Sequence, residues 1–579
     1  MRQIVAHLAL LESGDPRGAE VAAGILDSRG AVIVNGEGDG WSRRRLCGAL
    51  AILTLVVLCS GRLGQPARAE ARVFAAECQV APAKGKPELA VGAVGCIRLR
   101  AFDTLGALEP FSYYIPPGCA PATGRRCPVL YFLHGTGGSY SQLLGAKGGG
   151  PDRNPWLAAL CAGPPVDPHK IPDPWIYADP STWVPKPCMN MIVVAPHGAS
   201  LPGGFGPGAP GQNSLWSDWN PKYAKGGSQQ EYGTPAPRWG TFLTTELVPF
   251  IDRTFPVIPN RTGRALTGGS EGGLGGLENG FLHPDTWSVF GAISGALIPL
   301  PNAWASSSTP PDSASPPTAM PYKQLPAVVA PALANPTVWN NVLYGSLLAS
   351  QGDPLSDQIY FRGQLTPDIV ANARAFAANG EQANYINFFN NDMVPAPESL
   401  SNPSAYATDE AFEAALLPAA MYTANQMSRE GISYTFQIHP GIHQTRYWAP
   451  YLNWYYRALY GQLAHEDGSG HPQPYPKVFD YRTIFTRFTI WGWRVVVDRG
   501  PVEFLNLKNV SCDRLTLQGT GMVEMTPPPA CGKAPLRVDL GPSAPTDDQF
   551  DLGSSGAYGK TITITPRAYK PHRGRTTRH

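Results

Sequence analysis

The run Gly268-Gly269-Ser270-Glu271-Gly272-Gly273 sets a serine between glycines two positions away on either side. It follows the strand-like stretch Arg264-Ala-Leu-Thr267 and precedes a Gly-rich segment compatible with helix. This G-x-S-x-G spacing in strand–turn–helix context presents a serine hydroxyl on a sharp, strained turn. Gly268 and Gly272 leave out the Cβ atoms that would collide there. The N-terminus of the following helix faces the hydroxyl, and its N–H groups suit developing negative charge. The chemistry implied is nucleophilic acyl transfer through Ser270. A second run, Val129–Leu133 followed by His134-Gly135-Thr136-Gly137-Gly138, reads as a strand ending in a loop of small residues. The backbone N–H of Thr136 or Gly137, paired with that of Glu271, would hold the tetrahedral oxyanion. The His134 side chain is read as fixing this loop and not as the base.

A serine nucleophile needs a base, and the base needs an orienting carboxylate, here in the chain order Ser, acid, His. The last strand-like run, Tyr434–Ile438, leads into His439-Pro440-Gly441-Ile442-His443. His443 sits in the loop before a helix and is taken as the base. His439, at the strand end, reads as packing. The preceding strand-like run, Tyr385–Phe389, leads into Asn390-Asn391-Asp392. Asp392 is the first candidate acid. Glu398, Asp409 and Glu410 are rivals, the last two at the start of a predicted helix, where a carboxylate also has a purely structural use. Trp216, Trp219 and Trp239 precede the serine, and Trp216 and Trp239 are candidates for lining the substrate site. No metal or organic cofactor is required.

These residues need a scaffold. Apolar runs at Phe111–Ile115, Val129–Leu133, Met191–Ala195 and Val289–Ser294 join the two already named. Several are continuous and not alternating, as in a sheet covered on both faces. Between them, Trp239–Phe255 places Leu243, Leu247, Phe250 and Ile251 on one helical stripe, with a kink expected at Pro249. Tyr447–Leu463 reads as an aromatic-rich helix. Strand and helix in alternation predict an α/β layer fold over 70–463. Segments 139–190 and 299–380 interrupt it and are too long for passive loops. Residues 464–478 read as a linker, 479–570 as a small all-β, sandwich-like domain of period two, and 571–579 as a basic tail. In that domain Phe488–Val495, Phe504–Val510, Leu536–Leu540 and Thr561–Thr565 are the predicted strands.

Ser42-Arg43-Arg44-Arg45, an uncharged run from Leu46 to Cys59, and Ala67-Arg68-Ala69 give residues 1–69 the pattern of a leader with a signal peptide. The run is short for a membrane span. Export is the implied destination, secreted or in the cell envelope. Eight cysteines follow the leader, and no C-x-x-C occurs among them. An even count behind a leader favours disulfides over zinc. Pairing of sequence neighbours is expected: Cys78 with Cys96, Cys119 with Cys127, Cys161 with Cys188, and Cys512 with Cys531. Composition agrees with an ordered, loop-rich enzyme. Gly 63 and Pro 60 stand beside Trp 14, Tyr 23 and Phe 21, which supply large apolar surface for cores. A net charge of +2 implies no nucleic-acid footprint.

The run Arg238–Val257, then Arg264–Ser270, His283-Pro284-Asp285, Ser294-Gly295 and Gly441-x-His443 resembles the esterase D type family of α/β-hydrolases. That family includes S-formylglutathione hydrolases, feruloyl esterases, enterochelin esterases and secreted mycolyltransferases. The resemblance covers about residues 98–463 and leaves out the β domain. It implies a Ser/acid/His triad, mapped to Ser270, Asp392 or a nearby acid, and His443. Many members carry Met after the nucleophile, where this chain has Glu271. The mycolyltransferase branch often takes its acid from a helix start, which keeps Glu410 in view. Three functions follow. One is a secreted serine esterase on a small-molecule or glycolipid ester. Another is an acyltransferase to a sugar alcohol. The third is an inert frame whose β domain contacts a wall glycan or a partner.

Overall fold

The structure is a computed structural model. It describes residues 78–135 (83 excepted), 154–167, 179–198, 237–297, 382–392, 431–500, 504–532 and 535–540, the strand 562–564, and isolated positions at 138, 214, 216–219 and 413–428. The expected leader, the basic tail, Thr136, Gly137, Glu410 and most of the two insertions lie outside these residues.

One sheet of nine strands forms the frame. Its strands in chain order are β1 (Gln79–Val80), β2 (Val94–Ala101), β3 (Ala107–Tyr114), β4 (Val129–Leu133), then, after a separate two-stranded ribbon of β5 (Ala162–Gly163) and β6 (Val184–Pro185), β7 (Ile192–Pro196), β8 (Arg264–Gly268), β9 (Val289–Ile293), β10 (Tyr385–Asn391) and β11 (Thr435–His439). The spatial order is β1-β2-β3-β7-β4-β8-β9-β10-β11. From β7 to β11 all pairs are parallel, whereas β3 meets β2 and β7 antiparallel. β4, β7, β8 and β9 are buried along their whole length, which explains their unbroken apolar runs. Ligands of such open α/β sheets bind outside the carboxyl ends of the strands. Those ends here are Leu133, Gly268, Ile293, Asn391 and His439.

Three helices cover the sheet where it matters for the site. Trp239–Thr241 is α-helical, Phe242–Leu247 takes a π turn, and α1 (Val248–Thr254) follows. The kink expected at Pro249 is instead this widened π turn, since a proline ring and missing N–H disfavour ordinary α bonding to the turn before it. Leu243, Leu247 and Ile251 are fully buried, as their spacing predicts. α2 (Glu271–Leu282) leaves the serine turn, and every one of its residues is buried. α3 (Thr445–Gln462) carries the aromatic run and buries Tyr451, Tyr455 and Tyr456. All four disulfides join the expected neighbours: 78–96, 119–127, 161–188 and 512–531. No helix among the described residues is long and apolar enough to cross a membrane.

Beyond α3 the chain forms two four-stranded sheets. One runs β12 (Phe479–Thr483), β15 (Leu505–Val510), β16 (Leu515–Gln518), β19 (Ile562–Ile564). The other runs β13 (Arg487–Ile490), β14 (Trp493–Asp498), β17 (Met522–Thr526), β18 (Leu536–Asp539). The single strand expected over Phe488–Val495 is a hairpin. Trp491 and Gly492, at φ 50° and 80°, make a two-residue turn of the type with two positive φ values. The apolar residues Tyr481, Trp491 and Val495 belong to the same contiguous core as Phe281 and Trp287. The stretch expected to be a linker is held down as well. Ala464 N donates to Thr262 O at 2.7 Å, and Arg261 Nη1 donates to Gln473 O at 3.0 Å.

The junction ends on α2. Tyr481 Oη donates to the carbonyl of Leu282 at 2.7 Å, and Trp491 N donates to Asp285 Oδ2 at 3.0 Å. Burial raises the Asp285 carboxyl from 3.8 to about 6, opposed by the Trp491 N–H and the charges of Arg261 and Arg264. Its folded value lies above its unfolded value. The fold therefore favours the protonated form, and this contribution is full below the unfolded value and lost as pH rises through about 6. Asp285→Asn keeps an acceptor for Trp491 and removes the titration. Denaturant unfolding should find the variant at least as stable as wild type at pH 7. The wild type should lose stability relative to it between pH 4 and pH 7.

Candidate active site

Ser270 occupies the turn between β8 and α2 at φ 57°, ψ −121°, a backbone conformation that L-residues rarely adopt. The turn is locked from several sides. Ser270 N donates to Ile293 O at 2.9 Å, Ala296 N donates to Ser270 O at 2.9 Å, and Gly269 N donates to Leu133 O at 3.3 Å. Gly272 N and Gly273 N return to Gly269 O and Ser270 O at 2.8 and 2.9 Å. A Cβ on Gly272 would drive into the Leu133 carbonyl at the end of β4. Gly272→Ala must shift either α2 or the loop after β4. A loss of about 1–3 kcal/mol in stability is expected, with activity falling further than stability predicts, read by denaturation and ester turnover together.

The loop after β4 runs beside the serine. A Cβ on Gly135 would stand 2.9 Å from Ser270 Cβ and 3.5 Å from its Oγ. His134 is 4% exposed, its Nδ1 meets Gly135 O at 2.8 Å, and its Nε2 meets His197 O. Burial lowers its protonation range, against the two carbonyl contacts, and the ring ties the loop to the residue that follows β7. Glu271 is buried at the first position of α2.

Trp216 and Trp239 lie behind this turn and do not line an open site. They are 0% and 1% exposed, with ring centroids 6.2 Å apart and edge to face. Trp216 Nε1 donates to His134 O at 3.2 Å, its carbonyl accepts from Asn279 Nδ2 of α2 at 2.8 Å, and its backbone is at φ 56°. Large aromatics suit either role in sequence. Burial decides for support of the loop and helix.

His443 follows β11 in the loop before α3, as its position in the sequence predicts, while His439 is buried at 1% and stacked on Tyr451 at 3.7 Å. The carboxylate on His443 is Glu413, a residue the sequence reading passed over. Glu413 Oε2 meets His443 Nδ1 at 2.8 Å. Its other oxygen, Oε1, accepts from Ser294 Oγ at 2.9 Å, Asn391 N at 2.8 Å and Asn390 Nδ2 at 3.3 Å. Glu413 is fully buried. Asp392, the expected acid, accepts from Gly441 N at 3.2 Å and so ties down the turn that leads to His443. The strand end thus contributes a backbone donor and an amide donor to the Glu413 carboxylate. Glu413 lies three residues past Glu410 in sequence and is itself helical. The helix-start alternative was the signal nearest to it.

Trp448 of α3 draws these pieces together. Its indole Nε1 donates to Ser294 Oγ at 2.9 Å. Its ring stands perpendicular to that of His443, 5.2 Å between centroids, and 3.2 Å from where a Cβ on Gly269 would lie. The serine turn, the imidazole and, through Ser294, the carboxylate therefore meet at Trp448 and share one wall. Among the described residues five non-glycines have positive φ, and three of them, Trp216, Ser270 and Ser294, are parts of this assembly. No group of three or more His, Cys, Asp or Glu that could hold a metal occurs among the described residues.

Residues 208–336 match the family model described as Putative esterase. No curated protein matches the chain in sequence. Similar solved structures include an S-formylglutathione hydrolase from Agrobacterium tumefaciens, at 12% identity and TM-score 0.37 over 65% of this chain and 98% of that one. Mycobacterium tuberculosis MPT51 (FbpC1) aligns at 18% and 0.35, over 63% and 97%. A ferulic acid esterase from Anaeromyces mucronatus aligns at 15% and 0.30, over 65% and 97%. Likeness at this level does not decide what the chain acts on. The matched segment contains the Arg238–Val257 run and the serine turn that carry the sequence resemblance.

Proposed function

We propose that the protein is an exported serine esterase that works through an acyl-enzyme on Ser270. The observation that carries this reading is the convergence of a strained serine turn, His443 and a buried Glu413 on one wall. In the first step Ser270 Oγ attacks the ester carbonyl carbon and its proton passes to His443. The oxyanion is held by N–H groups of the loop after β4, at Thr136 or Gly137, and of Glu271. The carbon–oxygen bond to the alcohol then breaks, and the alcohol leaves with the proton from His443. Water attacks the acyl carbon, gives its proton to His443, and the acid departs as the proton returns to Ser270. Glu413 orients the imidazole and balances its charge in both steps. The four disulfides support an exported setting.

One observation favours transfer as the alternative second step. An acid drawn from a helical segment is the feature that the resemblance attaches to the mycolyltransferase branch. An added alcohol would then replace water as the acyl acceptor. A panel of p-nitrophenyl esters, assayed with and without an added sugar alcohol, tests both readings. Turnover lost in Ser270→Ala and His443→Ala is expected, with product analysis dividing hydrolysis from transfer. Variants that match the wild type would sink the enzyme reading.

A further inference from the structure

We infer that Trp448, acting through Ser294, is a positioning residue that fixes the orientation of the catalytic acid. This rests on the triad reading above and adds to it a directed hydrogen-bond chain. An indole N–H can only donate. Trp448 Nε1 gives its proton to Ser294 Oγ at 2.9 Å, so that oxygen is an acceptor on its tryptophan side. The single hydroxyl proton of Ser294 is then committed to Glu413 Oε1, 2.9 Å away. The chain has one polarity, and it runs toward the carboxylate. It holds Oε1 while Oε2 holds His443.

The backbone of Ser294 points the same way. Its φ is 41°, a conformation that favours glycine and strains a residue that bears a side chain. Ser294 N donates to Phe389 O at 2.7 Å, which pins the residue to the end of β10, next to the Asn390 and Asn391 groups on the same carboxylate oxygen. A glycine would fit this backbone better. What the serine adds is the hydroxyl. Trp448 itself is 6% exposed and wedged between Gly269 and His443, so its donor cannot swing away without moving both.

The test separates fold from chemistry. Ser294→Gly removes the hydroxyl and relieves the backbone. Trp448→Phe keeps a ring in place and removes the donor. Thermal unfolding, kcat and KM on a p-nitrophenyl ester, and the rate of fluorophosphonate labelling at Ser270 are measured for each variant and for the pair. Ser294→Gly should unfold no earlier than wild type, yet lose roughly tenfold or more in kcat and labelling rate with KM little changed. Trp448→Phe should lose several-fold in the same parameters. The double variant should be no worse than Ser294→Gly, because both break one chain. Wild-type kcat and labelling in Ser294→Gly overturn the inference, as do losses that multiply in the double variant. A wild type whose Ser270 is not labelled at all instead overturns the triad reading beneath it.

Discussion

Glu413→Gln should lower kcat/KM by about three to four orders of magnitude, whereas Asp392→Asn should cost about tenfold or less. The carboxylate does two things that an amide cannot. It accepts the Nδ1 proton of His443, which leaves the other ring nitrogen free to take the proton from serine. It also balances the imidazolium that forms. An amide in its place can present an N–H to Nδ1 and invert the tautomer. The shape of the site would survive, since Gln still offers an oxygen to Ser294 and Asn391. Unfolding of Glu413→Gln should therefore stay near wild type while turnover collapses. Asp392 acts on the other side of the loop, through Gly441 N at 3.2 Å, and Gly441 is held at φ 145°. Loosening that turn would blur the placement of His443 without removing its partner. If Asp392→Asn proves the more damaging change at equal stability, the assignment of the acid is wrong.

Arg261→Met should destabilise the chain by about 3–5 kcal/mol, a large share of what holds a folded protein together. Arg261 is 1% exposed, and burial pulls its guanidinium down to about 10, still charged at neutral pH. Its Nε donates to Pro284 O at 3.2 Å, Nη1 to Gln473 O at 3.0 Å, and Nη2 to Ala383 O. The rings of Tyr475 and Trp491 lie at 5.4 and 4.9 Å from its central carbon. Methionine fills the volume but withdraws the guanidinium from three carbonyls: Pro284 O keeps Asn384 Nδ2 at 3.1 Å, while the buried Ala383 O and the half-buried Gln473 O lose the arginine donor. Lysine should rescue little, because one ammonium cannot reach three carbonyls in a fork geometry. The joint matters for the site because it lies against the end of α2, the helix that starts directly after Ser270. Activity should fall with folded population and not ahead of it. Denaturant unfolding within about 0.5 kcal/mol of wild type would contradict this account of the joint.

The serine turn was legible because its glycines answer a local problem. Gly268 and Gly272 are required by atoms only a few residues away or on the neighbouring strand, so their spacing carries the geometry. His443 was legible for a similar reason, lying between the last strand and its helix. Glu413 was not. Its contact with His443 spans thirty positions of sequence, and a carboxylate near a helix start looks the same whether it caps the helix or serves a histidine. Ser294 and Trp448 hid in the same way, as one small polar residue after a strand and one aromatic in an aromatic-rich helix. Trp216 and Trp239 are ambiguous by type, because tryptophan suits a core and a binding wall equally, and only burial separates the two. In the β region the period of two gave the strands, but Trp491-Gly492 concealed a turn inside what reads as one strand. The segment 464–478 reads as a spacer by composition, yet its Gln473 carbonyl and Tyr475 ring are spent on Arg261.

The central claim is that Ser270 is the nucleophile. Fluorophosphonate labelling of the wild type, followed by mass spectrometry of the peptide that spans residues 264–283, tests it directly. One adduct on Ser270 is predicted, absent in Ser270→Ala and strongly slowed in His443→Ala and Glu413→Gln. An adduct on another residue, or none in an active preparation, would contradict it.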